Sequence, residues 1–306
     1  MRHVRNLFDL SAEEILHLLE EADRLKAAYK RRVSIPTLAG RVIAIMFEKK
    51  SLRTRVSFEA AITHLGGRSI FLSNDEVGFG SRESIPDMAR TLGEYVDGAI
   101  LRTFSQSSID EFARYAKFPV INGLSDLYHP CQALADFLTV KELYGELVGR
   151  TIAYIGDGNN VARSLAIGCG MLGIRMVIAS PSGYSFDQSF LSSLETKLPQ
   201  HKLTVTQNPA EAVREADVIY TDVWTSMGQE AERDQRLKQF APFQVNAQLL
   251  ANAPKHAKVM HCLPAHRGEE ITEDVLEGER SVVFQQAGNR MHAQKALLFW
   301  LFDGAG

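Results

Sequence analysis

Cysteine is scarce in this chain: three residues in 306, at Cys131, Cys169 and Cys262. Three scattered thiols exclude a disulfide framework and suit a reducing compartment. A long apolar run is missing too. No stretch of 18 apolar residues occurs, and the opening MRHVRNLFDLSAEEI brings Asp9 and Glu13 early, with no apolar signal segment. These absences make a membrane span unexpected and a cytoplasmic location the expectation. Nor does either sign of charge dominate. With 34 basic against 37 acidic residues the formal net charge is −3, so bulk electrostatics makes no case for nucleic acid or a membrane surface as partner. Any anion must be held by a local site. The longest basic cluster, Lys30-Arg31-Arg32, reads as a solvated helix end. There is no internal repeat and no low-complexity stretch.

What remains is ordinary globular material, 45% hydrophobic and 23% charged, long enough for two domains of roughly 150 residues, each with a core. Ser11 followed by Glu14 forms a capping box before Ile15, Leu18, Leu19, Ala22 and Leu25 at helical spacing. Strands are then expected at 41–47, 68–72, 98–102 and 119–123, with helices at 51–65, about 85–95 and 108–116, and 129–145. After the Gly-containing GELVGR at 145–150 the alternation restarts. A strand then a turn fall at 151–158 and strands at 175–180, 202–206, 217–224 and 257–264, with helices at 161–172, about 187–196 and 209–214, and from about 289 to the end. Repeated strand–helix alternation predicts an α/β protein of two domains, each a parallel sheet flanked by helices, divided as 1–145 and 146–288.

The stretch MFEKKSLRTRVSFEAA runs from a strand through a short polar turn into a helix. The first N–H groups of a helix lack internal partners and carry the positive end of the dipole, which makes a seat for phosphate. Ser51 can cap, Thr54 adds a hydroxyl, and Arg53 offers a planar fork for two oxygens. Taken alone, the pattern is equally that of a capped helix with a solvated arginine. A second helix start follows at His129-Pro130, with proline at its favoured first position. His129 and Gln132 both project from that first turn, an imidazole donor for a carbonyl oxygen and an amide that suits an amide ligand; a capping histidine with no ligand reads as well. Arg102 ends its strand on the edge where ligands gather in open α/β sheets.

On the later half, TDVWTSMGQE places Asp222 and Ser226-Met227-Gly228 beyond a strand end, and Asn160 follows the glycine turn at 156–158. HCLP at 261–264 puts the thiol of Cys262 at another strand end. Two alternatives are weighed on these residues. Gly156-Asp157-Gly158 resembles a dinucleotide loop, but the next strand ends at Ser180-Pro181 rather than at an acid. His261, Cys262 and His266 suggest zinc, but their spacing matches no paired-ligand motif. Cys169, beside Ala166 on an apolar helix face, reads as core.

Taken in order, SLRT at 51–54, Arg102, HPCQ at 129–132, DVWTSMG at 222–228, HCLP at 261–264 and NR at 289–290 resemble the ornithine carbamoyltransferase family, over nearly the whole chain. The resemblance implies a carbamoyl-phosphate domain (1–145, with a C-terminal helix from about 289 to 306 packing back on it) and an ornithine domain (146–288). It implies transfer of the carbamoyl group of carbamoyl phosphate to the δ-amine of L-ornithine, giving citrulline and phosphate, in arginine biosynthesis. No metal and no organic cofactor is implied. A homotrimer with shared active sites is implied, and neither nucleic acid nor membrane as partner. Carried over, Ser51, Leu52, Arg53 and Thr54 would bind phosphate; Arg102, His129 and Gln132 the carbamoyl end; Asn160, Asp222, Ser226 and Met227 ornithine. Cys262, Leu263 and Arg290 would close the reaction centre on carbamoyl phosphate, with Asp222, Cys262, Arg102 and His129 catalytic. The sequence departs from the family pattern in Leu52 for Thr, Glu76 for a Gln reached across a subunit interface, and Gly288 for the usual Glu before Asn289-Arg290; Cys131 stands at a variable position. A carboxylate at position 76 near phosphate calls for an offsetting cation such as Arg82. Transfer to another amine (lysine, putrescine or N-acetylornithine) is the alternative.

Overall fold

The computed structural model describes residues 1–80, 82–225 and 230–303. The chain folds as two compact units, Met1–Leu138 with Gly288–Gly306, and Thr139–Ala287.

In the first unit the strands are β1 (Val42–Phe47), β2 (Arg68–Ser73), β3 (Gly98–Arg102) and β4 (Val120–Leu124), in the order β2-β1-β3-β4 and all parallel. Strands covered on both faces read as unbroken apolar runs, and VIAIMF is buried at five of its six positions. The helices are α1 (Ala12–Lys30), α2 (Leu52–His64), α3 (Asn74–Val77), α4 (Ile85–Leu92), α5 (Gln106–Tyr115) and the start of α6 (Pro130–Tyr144). Ser11 and Glu14 form the expected capping box on α1. Met46, Ala89, Leu101, Ile109, Phe112 and Val120 pack together as one of the core clusters. Burial of each of the larger side chains contributes about 1.5–3 kcal/mol before the entropy of ordering it.

The second unit repeats the plan with β5 (Thr151–Ile155), β6 (Arg175–Ala179), β7 (Lys202–Thr206), β8 (Val218–Thr221) and β9 (Lys258–His261), all parallel in the order β7-β6-β5-β8-β9. Its helices include α7 (Asn160–Leu172), α8 (Gln188–Lys197), α9 (Pro209–Ala212), α10 (Arg233–Phe240), α11 (Ala247–Leu250) and α12 (Glu273–Leu276). Ala153, Ile155, Ile219, Val245, Val259 and Ile271 form its core, and Cys169 is buried as expected. The pieces from α10 to α12 are additions to the expected plan, each too short to show a helical period in the sequence.

The last helix, α13 (Val283–Asp303), begins six residues before the expected start. Gly288 does not break it, and a Cβ there would meet nothing within 4 Å. From Gly288 onward it packs on the first unit, as expected. Lys26 Nζ donates to Asn289 Oδ1 at 2.6 Å, and the Arg41 guanidinium lies 4.9 Å from the Phe302 ring centre. Gly98 permits this docking, since a Cβ there would stand 2.8 Å from Phe302 Cζ. Among the described residues no helix is long and apolar enough to cross a membrane.

Candidate active site

In the first unit, candidate residues gather at the C-terminal ends of neighbouring strands. β1 leads into Ser51, whose hydroxyl accepts the N–H of Thr54 at 3.3 Å and caps α2. Leu52 is 74% exposed, so its backbone N–H rather than its side chain is the group of interest. Arg102 ends β3 between β1 and β4. The ladder skips Gly123 at this point: Leu101 pairs with Asn122, and Arg102 with Leu124. A glycine at such a bulge leaves room for a neighbouring strand, since a Cβ on Gly123 would lie 3.2 Å from the Leu101 carbonyl oxygen. β4 passes into a turn held by Ser125 Oγ, which accepts the N–H groups of Leu127 and Tyr128 at 3.3 and 3.1 Å. That turn delivers His129 at the start of α6.

Arg102 is the most telling of these. It is 6% exposed, and among the described residues its guanidinium has no hydrogen bond or ion pair; Nε is buried without a partner. Burial first, and then Arg290 and Arg53, lower its pKa to about 10. A buried cation without a counter-charge is costly unless a ligand supplies one. His129 is buried beside it and is pushed well below the ordinary imidazole range, by burial first and then by Arg290 and Arg102. At neutral pH it is an uncharged ring that can donate one hydrogen bond. This gives a pH prediction. Between the folded pKa of His129 and about 6.5, the unfolded chain takes up a proton that the folded chain refuses. Stability must therefore fall as pH drops below about 6.5. Burial also lowers His3 and His64, so the contribution of His129 is isolated by comparison: melting curves from pH 7.5 to 5 should fall less steeply for His129→Gln than for the parent, and equal slopes would remove His129 from this account.

Arg290 is placed by two contacts from distant parts of the chain, donating to Gln132 Oε1 at 2.9 Å and to Thr54 Oγ1 at 2.8 Å. Gly288 therefore does not leave Arg290 without support. Gln132, fully buried, also donates to Asp136 Oδ1 at 2.8 Å, so its amide is engaged at both ends. Glu76 turns to its own helix start: Oε2 accepts the N–H and the hydroxyl of Ser73, each at 2.7 Å. Those bonds are the main reason its pKa is lowered, and Arg55 is the cation that adds to the effect.

In the second unit, β5, β8 and β9 are neighbours; Asp222 and Cys262 directly follow β8 and β9, and Asn159 stands at the end of the turn that follows β5. Asp222 Oδ1 accepts from Cys262 Sγ at 2.9 Å and from the Val223 N–H at 2.8 Å; Oδ2 accepts from Asn159 Nδ2 at 2.8 Å. Asn159 is not among the residues that the sequence singles out. It caps α7, accepting on Oδ1 from the N–H groups of Val161 and Ala162 at 3.0 and 3.1 Å and from the Tyr154 hydroxyl at 3.1 Å. Those three bonds orient the amide so that its NH₂ faces Asp222. An asparagine before a helical run is the signal that could have found it. Burial, then the charge of Asp222, holds the Tyr154 phenol well above its ordinary range, so it stays a donor. Asn160, the expected contact, is the first residue of α7. Ser226 and Met227 lie outside the described residues.

His261 and Glu270, both fully buried in their side chains, build the turn beyond β9. His261 Nδ1 accepts the Leu263 N–H at 2.8 Å while Nε2 meets Glu270 Oε1 at 3.0 Å, and Glu270 also accepts the His266 N–H at 2.6 Å. Leu263, with φ of 57°, is fixed by this pair. The donor atoms of Asp222, His261 and Cys262 lie within 4.8 Å of one another, but both His261 nitrogens are committed, so an ion there would have to break the turn. The glycine turn is committed as well. Gly156 N–H donates to Ala179 O at 3.0 Å and Gly158 N–H to Tyr184 O at 2.8 Å, and Asp157 pairs with Arg236 at 2.7 Å. A pyrophosphate would find neither amide free.

Comparisons with known proteins agree over the whole chain. Residues 2–142 match the family described as aspartate/ornithine carbamoyltransferase, carbamoyl-P binding domain, and residues 148–301 its Asp/Orn binding domain. The chain is 50% identical over 299 residues to an ornithine carbamoyltransferase of Oceanobacillus iheyensis, covering 97% of this chain and 93% of the relative. It is 51% identical over 294 residues to that of Bacillus subtilis, covering 95% and 91%. Among solved structures it resembles an ornithine carbamoyltransferase from Pyrococcus furiosus, with a TM-score of 0.96 and 46% identity over 100% of this chain and 98% of the other.

Proposed function

The chain belongs to the aspartate/ornithine carbamoyltransferase family, and we infer that it is an ornithine carbamoyltransferase, moving the carbamoyl group of carbamoyl phosphate to the δ-amine of L-ornithine. The observation that carries the choice of amine is the buried Asp222 carboxylate with the Cys262 thiol 2.9 Å away. A carboxylate pairs with the ammonium of a diamino acid and repels the second carboxylate of aspartate.

We assign carbamoyl phosphate to the first unit and ornithine to the second. The N–H groups at the start of α2, with Ser51, Arg53 and Thr54, take the phosphate. Arg102 and neutral His129 stabilise charge on the carbamoyl oxygen, and Arg290 is aimed by Gln132 and Thr54. The amine attacks as its neutral form: the C–N bond forms, the bond from carbon to the phosphate oxygen breaks, and phosphate leaves with the electron pair. The amine's surplus proton passes to Cys262 Sγ as the thiol proton moves to Asp222, a relay that the observed S–H to carboxylate hydrogen bond supports. Asn160, Ser226 and Met227 complete the ornithine set, and Leu263 the carbamoyl set.

A cytoplasmic homotrimer acting in arginine biosynthesis belongs to the same proposal. Leu52 and Val56, 74% and 53% exposed one turn apart on α2, give it an apolar surface to cover. Citrulline formation, measured with ornithine beside aspartate, lysine, putrescine and N-acetylornithine, tests the reading. Ornithine alone should serve; a faster rate with any other amine overturns it.

A further inference from the structure

A second cationic place lies in the first unit, at the far end of α2 from Ser51, about 18 Å along a helix of 13 residues. An open cavity of about 300 Å³ is lined there by the end of α1, the end of α2 and Lys295 of α13. That is the lower end of the volume range of small-molecule sites. Lys295 is 3% exposed, yet among the described residues its ammonium has no carboxylate and no hydrogen-bond partner. Its one compensation is the face of the Tyr29 ring, 4.8 Å away. His64, tilted against the same ring with centres 4.7 Å apart, keeps Nδ1 buried without a hydrogen bond. Arg32, exposed and held at φ of 57°, lines the mouth. Leu25, Ala28, Ile35 and Leu65 add an apolar part to the lining.

We propose that this cavity binds a small monocarboxylate whose carboxyl group sits on Lys295 and whose short apolar body lies on the wall of Leu25 and Leu65. One buried ammonium balances one negative charge, which favours a carboxylate over a dianion, and the wall favours a chain of a few carbons. Desolvation holds the Lys295 pKa at about 8, the response of a buried amine with no anion beside it. Nothing in the proposed transfer uses these residues.

Hexanoate is a suitable probe, with inorganic phosphate and sodium chloride at equal ionic strength as controls. Saturation-transfer NMR of hexanoate with the whole protein should show saturable binding. Lys295→Met should weaken it by about tenfold or more, and Arg32→Gln, at an exposed position that leaves the fold alone, by about threefold. Any effect of phosphate should survive Lys295→Met. The proposal fails if hexanoate shows no saturable signal, if both variants bind it as the parent does, or if phosphate competes for the same Lys295-dependent site.

Discussion

Replacing Arg102 by methionine is expected to lower kcat/KM for carbamoyl phosphate by about 10³-fold and, at the same time, to raise the melting temperature of the ligand-free protein. The two effects have one cause. In the ligand-free chain the Arg102 guanidinium is buried, is not hydrogen-bonded among the described residues, and is repelled by Arg290 and Arg53. A methionine of similar length fills the space without that penalty, and the gain should be about 1–3 kcal/mol. Bound carbamoyl phosphate reverses the balance, because the charge it brings is the one the site lacks. Carbamoyl phosphate should therefore stabilise the parent protein far more than the variant. Thermal unfolding with and without the ligand, beside steady-state kinetics, decides the matter. A variant that is inactive and also less stable would mean that Arg102 is a structural residue.

The second large effect concerns where a negative charge sits. Asp222→Asn should lower kcat/KM for ornithine by about 10²–10³-fold while leaving the KM for carbamoyl phosphate near its parent value. Part of any loss would come from packing, because the new amide has one acceptor oxygen where the carboxylate had two, and its NH₂ must face either the NH₂ of Asn159 or the N–H of Val223. The exchange Asn159→Asp with Asp222→Asn separates the two causes. Aspartate caps a helix as well as asparagine does, so α7 keeps its cap, the hydrogen bond between the two side chains returns with its direction reversed, and net charge is unchanged. Stability should recover while activity stays low, since the carboxylate has moved away from Cys262. Recovery of activity would show that only the hydrogen bond mattered.

Much of the fold is legible in the sequence. Buried parallel strands announce themselves as apolar runs, and β3 and β7 lie where the sequence places them. Helix starts are legible from caps, as at Ser11 and Ser51. Candidate residues at strand ends are legible because parallel topology puts all those ends on one edge. Contacts between distant side chains are not. Nothing local in the sequence says that Arg290 reaches Thr54 and Gln132, or that Glu270 backs His261, because such pairings depend on the completed fold. Glu76 has a local role that the sequence also signals. A carboxylate three residues after Ser73 is a capping signal, and within the chain Glu76 caps its own helix start. The start of α13 falls earlier than expected because Gly288 looks like punctuation, whereas a glycine inside a long helix costs only about 1 kcal/mol.

In the second unit, Asp222 and Cys262 each stand one residue past the end of a paired strand, Asn159 caps the helix that follows a third, and those three strands are neighbours. A strand slipped by one residue would turn its side chains to the other face, and a slip of two would carry a functional group about 6.6 Å along its axis. Either error could leave a chain that is compact, helical by spectroscopy and soluble, yet inert. Specific activity per mole of folded chain is therefore a gauge of assembly fidelity, sensitive to misalignments that circular dichroism and size measurements would pass over.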